Sequence, residues 1–156
     1  MTSGCRYPSI EYARFFFMLL LWASCGENSL GGDPIVVRDA WIREPPPRSP
    51  AAGYLTIENR GDELLELIGV QTEIAERSEI HVMEDRGGRM TMRRTERVAI
   101  SAGTQVVLKS GGTHLMLMGL RQRLMAGDSV ELLLRFGDGV QRRVKVPVRK
   151  EGYASD

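Results

Sequence analysis

From about residue 35 onward, apolar and polar residues alternate in short runs. In "AAGYLTIEN" (residues 51–59), Tyr54, Thr56 and Glu58 alternate with Leu55 and Ile57. In "THLMLMG" (113–119), Leu115 and Leu117 alternate with His114, Met116 and Met118. A period of two is that of a β-strand, whose successive side chains point to opposite faces. "IVVRDAWIRE" (35–44) predicts a first strand running into the stiff "PPPRSP" connection. "ELLELIGVQT" fits either helix or strand by period alone; Gly69 and the β-rich surroundings favour strand. "SEIHVME", the turn "DRGG" and "RMTMRR" predict a hairpin. "RVAI", the turn "SAGT" and "QVVLK" predict a second, and "GGTHLMLM" follows. "MAGDSVELLLRF", "GDG" and "VQRRVKVPVRK" close the pattern as a final hairpin. Eight to ten short strands between Gly and Asp turns predict an all-β, antiparallel sandwich or barrel.

The first 24 residues follow a different pattern. Arg6 and Arg14 precede the apolar run "FFFMLLLWA" (15–23), which small residues follow. This is the layout of an export signal, and the run is shorter than the roughly 18 apolar residues of a membrane-spanning helix. The expected organisation is a signal peptide over 1–24, a Gly-rich tether over 25–34, one β domain over 35–150 and a short tail over 151–156. The chain has 156 residues, enough for one domain with a substantial core.

Charge and cysteine content narrow the function. Twenty-one Lys and Arg against 20 Asp and Glu leave a net charge of +1, without the basic excess of a nucleic-acid binder. Both cysteines, Cys5 and Cys25, precede the β domain, so that domain has neither a disulfide nor thiol chemistry. "WASC" (22–25) resembles a bacterial lipobox, with Trp22 where Leu is usual. The resemblance implies a lipid on Cys25 and a protein held in the periplasm or cell envelope; simple secretion is the alternative.

The candidate chemistry lies in three runs of matching parity. His114, Met116 and Met118 share one face, opposite Leu115 and Leu117. His81 and Met83 share a face opposite Ile80 and Val82, and Met90 and Met92 share one opposite Thr91. Both histidines and five of the eight methionines therefore fall between residues 81 and 118. The leucine face is the natural core, which leaves the His and Met face for a surface or an edge. Any one Met can be a core gap-filler. As a set, imidazole and thioether suit a soft ion, and copper(I) accepts neutral thioethers. Zinc would recruit Cys or carboxylate, and calcium has no preference for Met.

The spacing of His81, ten residues, Met92, twenty-one residues, His114, one residue, Met116 resembles the signature of the PCu(A)C periplasmic copper chaperones. "AAGYLTIEN", "GGRMTMR", "ISAGTQVVLKSGGTHLMLMGL" and "GDSVELLLRF" resemble segments of that family in the same order, across about residues 35–148. The resemblance implies a cupredoxin-like or immunoglobulin-like β-sandwich holding one copper(I) through His81, Met92, His114 and Met116. It also implies delivery of copper to an acceptor, namely cytochrome oxidase subunit II or a Sco-type protein. Met83, Met90 and Met118 remain open as further ligands. Ser110 stands where the family usually has Pro before the paired glycines.

Other classes fit less well. A blue-copper electron carrier needs a Cys thiolate, which the domain lacks. An enzyme needs a nucleophile and base or an open metal position; only Glu79, Glu84 and Asp85 near His81 point that way. An envelope lipoprotein that buffers copper or confers resistance would use the same site, and only a transfer assay separates it from a chaperone. A metal-free adhesion or interaction module would bind no copper(I).

Overall fold

The structure, a computed structural model, describes residues 33–150. The export segment, most of the tether and the tail lie outside the described residues, as does Cys25.

Ten strands follow one another in chain order. They are β1 (Ile35–Arg43), β2 (Ala51–Asn59), β3 (Leu65–Gln71), β4 (Ala75–Asp85) and β5 (Met90–Thr95), then β6 (Val98–Ile100), β7 (Gln105–Leu108), β8 (His114–Leu120), β9 (Ser129–Phe136) and β10 (Gln141–Arg149). One layer has the order β5-β4-β8-β2-β1, with β7 also on β2; the other has β10-β9-β3-β6. All pairings are antiparallel except β1 with β10, which meet in parallel at Ile42↔Val148 and Arg43↔Arg149 and connect the layers. The expected all-β sandwich is therefore present, with one parallel seam.

The core follows from the alternation. Leu115 and Leu117 of β8, Ile57 of β2, and Leu132, Leu134 and Phe136 of β9 are buried within one apolar cluster drawn from both layers. Burying aliphatic side chains at about 1.5–3 kcal/mol each is what holds two such layers together. The same alternation places the intervening residues of β8 on the outer face of its layer.

The first and last predicted hairpins form. β4 pairs β5 through Asp85↔Met90, around a turn in which the Arg86 amide donates to the Arg89 carbonyl. β9 pairs β10 from Arg135↔Gln141 to Ser129↔Pro147. The hairpin expected from "RVAI" and "QVVLK" does not form. β6 pairs β3 in one layer, and β7 pairs β2 in the other. Ile100 and Leu108 are both buried, so each strand satisfies its apolar position from its own layer and the turn between them crosses the sandwich. Local turn chemistry gives way here to burial on both sides of a shared core.

Asn59, at the end of β2, fixes that crossing. Its buried Nδ2 donates to the carbonyls of Glu63 (2.8 Å) and Ile100 (2.9 Å), while its Oδ1 accepts from the Gly61 amide (3.0 Å). Asn59→Ala would leave three backbone groups without these partners. We expect a loss of about 1–3 kcal/mol in urea unfolding, with the β-sheet circular dichroism of the native state retained.

Candidate metal centre

The candidate site is a patch of the outer face of β5, β4 and β8, and strand register builds it. Ile80 pairs with Leu115, both buried, which sets the next pair, His81↔His114, on the opposite face. Along β4, His81 and Met83 share that face; Met83 is directly across from Met92 on β5. Along β8, Met116 follows His114 on the same face, directly across from Glu79. The histidines thus form a middle row, with Met92 towards the hairpin tip and Met116 towards the other end.

The His81 and His114 ring centres are 6.1 Å apart at an interplanar angle of 60°. That separation is within reach of one ion bonded to a nitrogen of each ring at roughly 2 Å. Met83, Met92, His114 and Met116 line an open cavity of about 840 Å3, bordered by Tyr54 and the Pro45–Pro47 run. The expectation that this face would be a surface or an edge is met only in part. Met92 is 48% exposed on the edge strand β5, whereas His114 is only 7% exposed because β8 lies inside the sheet between β4 and β2.

Each histidine has one ring nitrogen occupied. His114 Nδ1 is 3.0 Å from the carbonyl of Gly112 and donates to it, so in the neutral ring Nε2 carries the lone pair. That carbonyl is set by a tight turn in which the Gly112 amide donates to Lys109 O (3.2 Å). Gly111 adopts φ +75° within it, the left-handed conformation that glycine tolerates. The paired glycines of the sequence thus turn the chain and orient the ring. Ser110 occupies the preceding turn position where proline is favoured, and the turn forms without it.

His81 Nε2 lies 2.9 Å from Glu79 Oε2, and Arg94 Nη1 is 3.8 Å from the other carboxylate oxygen. The hydrogen bond from His81 holds the Glu79 carboxyl below its ordinary range; Arg94 and Arg77 act in the same sense and partial burial opposes them. His81 Nδ1 is buried without a hydrogen-bond partner among the described residues. A buried polar atom left unpaired costs about 1–3 kcal/mol, so this nitrogen is available to a ligand. Sequence reasoning missed Glu79 as the partner of His81. The available signal was parity, since a residue two places before a strand histidine shares its face.

Among the described residues no group of three or more His, Cys, Asp or Glu is placed to hold a metal ion. This face carries two imidazoles and up to three thioethers, donor types that suit a soft ion better than a hard one. The four residues expected from the sequence lie together on one face, and Met83 joins them.

Comparison with known proteins bears on the family and the fold. Residues 35–148 match a family described as "Putative lipoprotein LpqE-like". A protein of Leifsonia xyli subsp. xyli named "Putative lipoprotein Lxx21020" is 32% identical over 125 residues, 80% of this chain and 75% of that protein. The solution structure of CuI-DR1885 from Deinococcus radiodurans is 28% identical with a TM-score of 0.61, covering 82% of this chain and 85% of its own. A copper-bound PCuAC domain from PmoF2 superposes with a TM-score of 0.65 over 76% of this chain and 94% of its own; at 20% identity that likeness concerns the fold.

Gly111→Val would force a β-branched residue into the left-handed region. We expect a loss of about 1–3 kcal/mol in urea unfolding, together with displaced His114 ring resonances as the Gly112 carbonyl moves.

Proposed function

The chain belongs to the LpqE-like family, and from that premise we propose that it is an exported copper(I) carrier that delivers its ion to an acceptor protein. One observation carries the reading. Two histidines are held side by side, each with a ring nitrogen left for a ligand, and His114 lines a cavity with Met83, Met92 and Met116. His81, Met92, His114 and Met116 are the proposed ligands, and the 28% identical Deinococcus protein, CuI-DR1885, is a copper(I) form.

The arrangement suits a carrier. Neutral thioethers favour the cuprous state and exchange readily, while the imidazoles supply stronger bonds. The histidines are largely buried on β4 and β8, and Met92 is half exposed on the edge strand. An incoming acceptor thus meets the thioether first and displaces the weakest bond before reaching the imidazoles. Assembly of the cytochrome oxidase copper centre, through subunit II or a Sco-type protein, is the delivery step we propose. Transfer of copper(I) to such an acceptor separates delivery from buffering, because a buffering protein would retain its ion.

Copper(I) should bind one to one. His114→Ala should weaken binding by more than about 100-fold, beyond the roughly 10–100-fold typical of losing an outer-sphere partner. Met116→Leu should also weaken it while changing stability by less than about 1.5 kcal/mol, as expected of a volume-conserving swap. Affinity measured by competition with a copper(I) chelator should fall on acidification, because protonated imidazole cannot ligate and thioether does not titrate. Wild-type affinity in His114→Ala, or an affinity flat from alkaline to acid pH, would remove histidine from the site.

We also propose that the protein is envelope-bound through lipid on Cys25, in keeping with its family's description. Each acyl CH2 buried contributes about 0.8 kcal/mol, so two or more chains anchor a protein stably. Cys25→Ser should release the protein into the soluble envelope fraction with copper(I) binding intact. A wild-type protein already soluble, with an unmodified N-terminus at or beyond Gly26, would overturn the anchor and leave the carrier reading standing.

A further inference from the structure

We propose that Glu79 is a positioning residue for copper(I), fixing the His81 tautomer so that Nδ1 is the ligating atom. The inference rests on the copper(I) reading above and extends it to atoms that the spacing of His and Met does not specify.

A carboxylate can only accept hydrogen bonds. The 2.9 Å contact between Glu79 Oε2 and His81 Nε2 therefore puts the proton of the neutral ring on Nε2 and leaves Nδ1 bare. His81 Nδ1 is the nitrogen found buried and without a partner among the described residues. Glu79 itself is held. It lies two residues before His81 on the same strand face, directly across from Met116, and Arg94 approaches its second oxygen from the β5 position directly across from His81. Backbone register on both sides of β4 thus places the carboxylate, and no loop is involved.

His114 provides the internal contrast. Its Nδ1 donates to the Gly112 carbonyl, so its bare nitrogen is Nε2. The two histidines face the same ion with opposite nitrogens, one fixed by a side-chain carboxylate and one by the main chain. A carboxylate behind a ligating imidazole also raises its basicity and fixes the ring orientation, and losing such a partner typically costs about 10–100-fold in metal affinity. Glu79 touches no ion in this scheme and acts through His81 alone.

The test uses the purified full-length chain without copper in mildly alkaline buffer, and two-bond 15N–1H NMR to read each ring's tautomer. His81 is expected as the Nε2–H form and His114 as the Nδ1–H form. Adding copper(I) should then move the His81 Nδ1 and His114 Nε2 shifts most, a readout that needs no variant. Glu79→Leu should mix the His81 tautomers and lower copper(I) affinity about 10–100-fold; Glu79→Gln, which retains an oxygen acceptor, should be affected less. An Nδ1–H form of His81 in the wild type would overturn the proposal. So would copper(I) shifting Nε2 of His81, or a Glu79→Leu protein with unchanged tautomer and affinity. Wild-type protein that binds no copper(I) would overturn the carrier reading and this inference with it. Copper(I) binding that depends on His114 but is indifferent to Glu79 would overturn this inference alone.

Discussion

The register between β4 and β8 is the constraint on which the site depends. Ile80↔Leu115 and His81↔His114 are consecutive pairs of one antiparallel ladder, so their side chains leave opposite faces of the same layer. Ile80 and Leu115 are fixed by burial in the core. Slipping the pairing by one residue would expose them and bury the histidines, at a cost of several kcal/mol in lost apolar burial. The hydrophobic core therefore holds the imidazoles side by side without needing any bond between them. The second register, between β4 and β5, carries the same logic outward by setting Met83 against Met92.

This construction explains why the site is graded from buried to exposed. β8 is flanked by β4 and β2, so its outer face is screened by neighbours, and the proline run borders the cavity with a segment of fixed φ. β5 ends the sheet, so its side chains stand in solvent. Position in strand order, more than residue type, decides which proposed ligand stands most exposed.

Polar satisfaction divides along the same line between structure and function. Asn59, remote in role from the site, has both ends of its amide paired with backbone groups, as a buried structural amide should. His81 keeps one nitrogen paired with Glu79 and the other unpaired in a buried position. An unpaired buried nitrogen lowers stability, and in the copper(I) reading proposed above that cost is offset when the ion binds.

The sequence by itself determined the strands and their faces, because a period of two requires only local backbone geometry. From it follow the Leu face and the His and Met face of β8 and the hairpin of β4 with β5, while the choice of His81, Met92, His114 and Met116 among the His and Met residues rested on the resemblance of their spacing to the PCu(A)C signature. Tertiary structure alone decided what depends on contacts distant in sequence. The chain between Val98 and Leu108 carries the signals of a hairpin, yet β6 and β7 join different layers because each finds its buried place there. The parallel meeting of β1 with β10, more than one hundred residues apart, leaves no mark in local pattern. Which nitrogen each histidine leaves for a ligand is likewise absent from the alternation. It depends on Gly112 and Glu79 reaching particular ring atoms, and hydrogen-bond geometry at that scale is set only once the strands are in register.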